Sequence, residues 1–130
     1  MRSERGSAVV EFVLVAGVLF TVLFAVMEFG LMVNAKILLT NAAREAARKA
    51  AVDGGASQAA VTRALDCVKM GSIDPRTVEV FIRPVEAAYG STITVRVSCE
   101  YHPVTSVIRG ITRGPVPLAS EVVTRSEKVR

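Results

Sequence analysis

The sequence predicts an α+β chain: a long N-terminal helix, apolar enough to enter a membrane, then a small domain with a short helix and an antiparallel hairpin or three-stranded sheet. Three observations predict it. Fifteen of the 16 residues from Phe12 to Met27 are apolar, Thr21 being the exception. Residues 34–52 are rich in Ala, Arg, Lys and Glu and contain neither Gly nor Pro, so they extend the helix beyond the apolar run. Further on, two runs alternate with the period of a strand, Val78, Val80 and Ile82 on one and Ile93, Val95, Val97, Cys99 and Tyr101 on the other.

Composition limits the rest. The chain has 130 residues, 51% hydrophobic but only 5% aromatic, so Ala and Val carry most of the apolar content of one small domain. Sixteen Lys and Arg against 12 Asp and Glu leave a net charge of +4 without a basic block, which gives no electrostatic footprint for nucleic acid.

Residues 1–6, Met-Arg-Ser-Glu-Arg-Gly, form a short polar leader with two arginines. A single helix is expected over 7–53. Its part from 7 to about 33 is roughly 40 Å long, more than the ~30 Å a hydrocarbon core requires. Asp53-Gly54-Gly55 supplies the stop. The outer half is amphipathic, and its alanines permit close approach of another helix or a sheet.

Residues 54–130 make up the small domain. Ser57 is placed to cap a second helix in which Ala60, Val61, Ala64, Leu65 and Val68 recur at helical spacing, with Gly71 as its end cap. Residues 84–91 join the two strands of the hairpin. Val104, Val107, Ile108 and Ile111 fit a short helical turn, Gly114-Pro115-Val116-Pro117 breaks it, and Leu118 to Thr124 is a weaker third strand. Residues 125–130 are expected to fray.

A domain of this size draws only a few kcal/mol from its core, and a cross-link would help. Cys67 on the second helix and Cys99 on the inward strand face would close a 33-residue loop, worth roughly 3.7 kcal/mol on a chain-entropy argument. Two buried free thiols are the alternative. Neither a metal site nor a cofactor is implied.

No catalytic constellation stands out. His102, the one histidine, precedes Pro103, and no nucleophile, zinc or phosphate-loop motif surrounds it. Enzyme activity and a small-molecule substrate are not expected. The informative charges are the two acids of the apolar segment, since a carboxylate at the bilayer centre costs at least ~2.5 kcal/mol. Glu11 is the fifth residue after Gly6 and lies near one end of the span. Glu28 lies near the other, where it either sits at the outer interface or pairs with Lys36 or with an arginine of a neighbour.

The run Gly6-Ser7-Ala8-Val9-Val10-Glu11-Phe12, followed by an unbroken apolar helix, resembles the N-terminus of type IV pilins and pseudopilins. More narrowly it resembles the TadE-like minor pilins of tight-adherence, Flp-type pilus systems, whose Ala-rich continuation is matched at Asn41 to Ala47. Phe12 stands where the main Flp-type pilins have Tyr. The resemblance implies cleavage between Gly6 and Ser7 by a membrane prepilin peptidase. It further implies pairing of the new Ser7 amine with Glu11 of a neighbouring subunit, giving Glu11 and Phe12 an assembly role. The implied partners are the membrane, the peptidase and other pilins or inner-membrane assembly proteins. The implied location is the inner membrane, with a periplasmic domain that joins a pilus or stays at the membrane.

Charge alone does not fix the orientation, because Lys36, Arg44, Arg48 and Lys49 follow the span while Arg2 and Arg5 precede it. Two other readings stay open. One is an exported binding module cut after Val33-Asn34-Ala35, although its apolar run is about twice the usual signal length. The other is an uncleaved single-pass subunit of another membrane complex, in which Glu11 only reaches the headgroups.

Overall fold

The protein is described by a computed structural model covering residues 2–71 and 73–129, the side chains of residues 2–5 and of Val107 excepted. Met1, the leader side chains, the side chain of Val107 in the expected turn and the terminal Arg130 therefore lie outside what is described.

Helix α1 runs from Arg2 to Asp53, 52 residues and about 78 Å. It takes in residues 2–6 as well, because Gly6 is the only weak helix former there and a single glycine costs only about 1 kcal/mol. Two glycines end it: Gly54 (φ +79°) and Gly55 (φ +132°) turn the chain, and both their N–H groups donate to the Ala50 carbonyl. A side chain at Gly55 would run into the Val85 backbone. Helix α2 (Gln58–Lys69) then runs back along α1, its N-cap Ser57 accepting a hydrogen bond from the Ala60 N–H at 3.1 Å. Its end departs from expectation. Met70, in ordinary right-handed conformation, is the cap residue, and Gly71 follows it, its N–H donating to the Val68 carbonyl while its Cα lies close against the Leu38 side chain of α1.

After a 3-10 turn at Pro75–Thr77 come β1 (Val78–Arg83), β2 (Thr92–Tyr101), a short helix α3 (Ser106–Thr112) and β3 (Val116–Arg125). The three strands form one antiparallel sheet in the order β1-β2-β3. The fold class is therefore borne out, with three strands rather than a bare hairpin. Register Val78↔Cys99, Val80↔Val97 and Ile82↔Val95 puts both alternating apolar sets on one face. That face covers α1. Ile93, Val95 and Val97 are fully buried there, whereas Phe81 and Val123 stay exposed on the other face.

The outer half of α1 is thus the centre of the domain. Leu39, Ala42, Ala43, Ala46 and Ala50 are fully buried, and Ala35, Ala47 and Ala51 nearly so. Small side chains let the sheet approach one side of the helix while α2 packs Ala60, Ala64 and Val68 on the adjoining side. Thr40 and Ser120 share a hydrogen bond at 3.0 Å, and Lys36 donates to the Ala119 carbonyl, so β3 lies along α1. The segment after β3 is not frayed at its start. Ser126 N–H donates to Ser91, Glu127 N–H donates to Ala51, and Ser126 is buried.

Candidate functional site

Along α1 from Gly6 to Met27 nothing is buried; Val9, Phe12, Leu14, Val18 and Leu19 are each more than 60% exposed. The surface they make is a continuous apolar rod, suited by length and composition to cross a membrane. Gly6, Ser7, Glu11 and Phe12 all lie on it, within two helical turns. Glu11 is exposed and has no hydrogen-bond or ion-pair partner among the described residues. A Cβ placed on Gly6 would meet nothing within 4 Å, so packing inside this chain does not require glycine there.

Glu28 is not an open carboxylate. It is 1% exposed and is the first buried residue met along the described part of α1. Lys36 is not its partner, being engaged by β3. Instead the connection leaving β2 wraps the carboxylate. Oε1 accepts from the Tyr101 hydroxyl at 2.7 Å and the Val104 N–H at 3.0 Å; Oε2 accepts from the Thr105 N–H at 2.8 Å and the Thr105 hydroxyl at 2.7 Å. Four donors on two oxygens is the full satisfaction that a buried carboxylate requires. Burial, and then the hydrogen bond to Glu28, pushes the Tyr101 hydroxyl up to about 12, so it stays a proton donor throughout the neutral range. Arg109 closes the same connection by donating to the Pro103 carbonyl through Nη2 at 3.1 Å.

A sequence signal for this clasp exists. Glu28 precedes Ala35 by seven residues and Ala46 by eighteen, five full turns, and so lies in phase with the buried stripe of the outer half. Judging Glu28 by its depth in a bilayer hides that phase.

The expected Cys67–Cys99 bridge is not formed; both residues are free thiols. Cys67 is half-buried on α2 within the electrostatic reach of Glu45 of α1 and of its own neighbours Arg63 and Asp66, while Cys99 lines a cavity with Ala35 and Leu38 of α1. Burial pushes both thiols up, with Glu45 adding to the effect at Cys67, which leaves them poor nucleophiles at neutral pH. His102 is exposed at the end of β2. No cluster of His, Cys, Asp and Glu suited to a metal ion is present among the described residues.

In comparisons with known proteins, residues 6–48, beginning at Gly6 and ending within α1, match the model of the TadE-like protein family. No curated protein and no solved structure matches the chain.

Proposed function

We propose, from a chain that is TadE-like over residues 6–48 and anchored by one apolar helix, that it serves as a minor pilin or pseudopilin of a Tad pilus, processed after Gly6 and assembled through α1. The observation that carries this reading is the spacing of Gly6 and Glu11 on a fully exposed apolar helix. A lone carboxylate facing lipid is costly, and the α-amino group released at Ser7 of a neighbouring subunit is a cation of the right sign at the right depth. Phe12 beside it adds apolar area to the same contact. On this reading the leader is cytoplasmic, the domain is periplasmic, and the protein acts as a structural component rather than an enzyme.

A cut after Ala35 fits poorly. It would fall inside α1, beside a residue that is 4% exposed, and would separate Glu28 from the four donors that enclose it.

The deciding measurement is the N-terminal residue and intact mass of membrane-extracted protein with and without the prepilin peptidase. A start at Ser7 that depends on the peptidase is expected; an intact Met1 in both backgrounds would make the chain an ordinary single-pass subunit. Gly6→Trp should abolish the mature form while leaving insertion unchanged, and mature-size protein from this variant would contradict processing. Glu11→Ala should insert and be cleaved normally yet lower incorporation into pili about tenfold or more, the effect of losing a charge pair worth at least ~1.4 kcal/mol in lipid. Wild-type piliation by Glu11→Ala would remove the assembly role.

A further inference from the structure

The β2–β3 connection occupies a particular place. β2 runs back toward the apolar rod and ends at Tyr101, β3 sets out again from Val116, and the clasp on Glu28 holds the start of the connection at the point where α1 turns from exposed to buried. The base of the domain, with α3 in it, is therefore set against the end of the span. From Ser7 to Met27 is 21 residues, or about 31 Å, which matches a hydrocarbon core of ~30 Å with Glu28 at its edge.

What sets this base apart is its place beside the apolar span, where it presents apolar side chains together with arginines. Val104 is 63% exposed and Ile111 70%, and Phe29 on α1, one residue from the clasp, is 68% exposed. Residues 102–115 contain Arg109 and Arg113 and no acid. Set next to the end of a membrane span, such side chains meet the headgroup layer rather than bulk water. An anionic phospholipid surface takes both, apolar groups among the upper acyl chains and cations against the phosphates.

We propose that the connection from Tyr101 to Val116 is a lipid-contact surface that seats the domain on the membrane α1 crosses, with Val104 and Ile111 entering the headgroup layer and Arg109 and Arg113 supplying its attraction to phosphate. This rests on α1 crossing a membrane and is independent of processing or pilus incorporation. The clasp then fixes the height of the domain: Glu28 stays sealed by its four donors, and the bilayer meets α3 instead of an open carboxylate.

The chain contains no tryptophan, so single reporters can be introduced without background. Phe20→Trp lies near the middle of the apolar run, Ile111→Trp in α3, and Tyr89→Trp at a 72% exposed site in the β1–β2 connection, by the far end of the sheet. Each full-length variant is placed in phosphatidylcholine vesicles with a minority of phosphatidylglycerol. Fluorescence is read with lipids brominated near the glycerol, with lipids brominated near the chain end, and with acrylamide in the water.

The reporter at position 111 is expected to be quenched most by bromine near the glycerol and several-fold less by acrylamide than the one at 89. The reporter at position 20 should be quenched most by bromine near the chain end, which confirms insertion on its own. If position 20 reports insertion while position 111 is as open to acrylamide as position 89, the lipid-contact surface is refuted although the anchor stands. Shielding at 111 from both bromine and acrylamide would refute it too, pointing to a second copy of the chain over α3. Failure of position 20 to sense lipid would overturn both the anchor and the surface.

Discussion

Glu28→Ala is expected to destabilise the domain by about 4 kcal/mol, a large share of the 5–15 kcal/mol that holds a typical domain together. The loss does not come from the missing methylenes. It comes from the Tyr101 hydroxyl, the Val104 and Thr105 N–H groups and the Thr105 hydroxyl, all left facing a site with no acceptor. Glu28→Gln should also be damaging, because it offers one oxygen and two new donors to a set of four donors. Tyr101→Phe, which removes one bond and orphans nothing on the backbone, should cost about 1 to 1.5 kcal/mol. The measurement is hydrogen exchange at the Val104 and Thr105 amides in micelles, together with global unfolding followed at β2. Equal protection in Glu28→Ala and the parent would show that the carboxylate does not hold the base of the domain.

Ala46→Phe should have an effect of similar size by the opposite route. Ala46 is fully buried in the stripe that α2 and the sheet close over, among Leu39, Ala43 and Ala50. A ring there cannot be absorbed by a rotamer change, since the neighbours on α1 are themselves mostly alanines and the core closed over them consists of the alanines of α2 and the branched side chains of the sheet. Overpacking by a few methylenes already costs 1–3 kcal/mol. A whole ring at the centre of the contact is therefore expected to cost at least about 3 kcal/mol and to detach the sheet, while the apolar half of α1 still inserts. Ile37→Phe, at a position 55% exposed on the same helix, is the control and should be near neutral. Loss of exchange protection along β2 in Ala46→Phe but not in Ile37→Phe is the expected result, and equal protection in the two would mean that the alanine stripe does not set the approach of the sheet.

The elements legible in the sequence are those fixed by local chemistry. The apolar run, the Asp53-Gly54-Gly55 stop, the Ser57 cap and the two period-2 faces each depend on residues adjacent in the chain, and each appears where the sequence puts it. What went unread depends on partners far away. The Glu28 clasp joins residues more than seventy positions apart. The approach of Leu38 to Gly71 has no local signal, and Ser126 looks like part of a tail until Ser91 and Ala51 are seen to hold its neighbourhood. Cys99 reads as inward-facing and is buried, but placing Cys67 on the second helix does not make the two residues neighbours, and both are free thiols. In the candidate site, Gly6, Ser7, Glu11 and Phe12 form a linear motif and so were visible; Glu28, Tyr101 and Thr105 form a site only in the fold.

Because one unbroken helix is both the anchor and the spine of the domain, the two share a single rigid axis with no linker between them. The axis behaves as a lever whose fulcrum lies near Glu28. From there to Asp53 the helix extends about 38 Å, so leaning the span by ~20°, an ordinary tilt for a membrane helix, sweeps the far end of the domain sideways by about 13 Å. Any tilt of the apolar part of the helix thereby aims its outer part, and the direction in which the outer face of the sheet points follows the lean of the span.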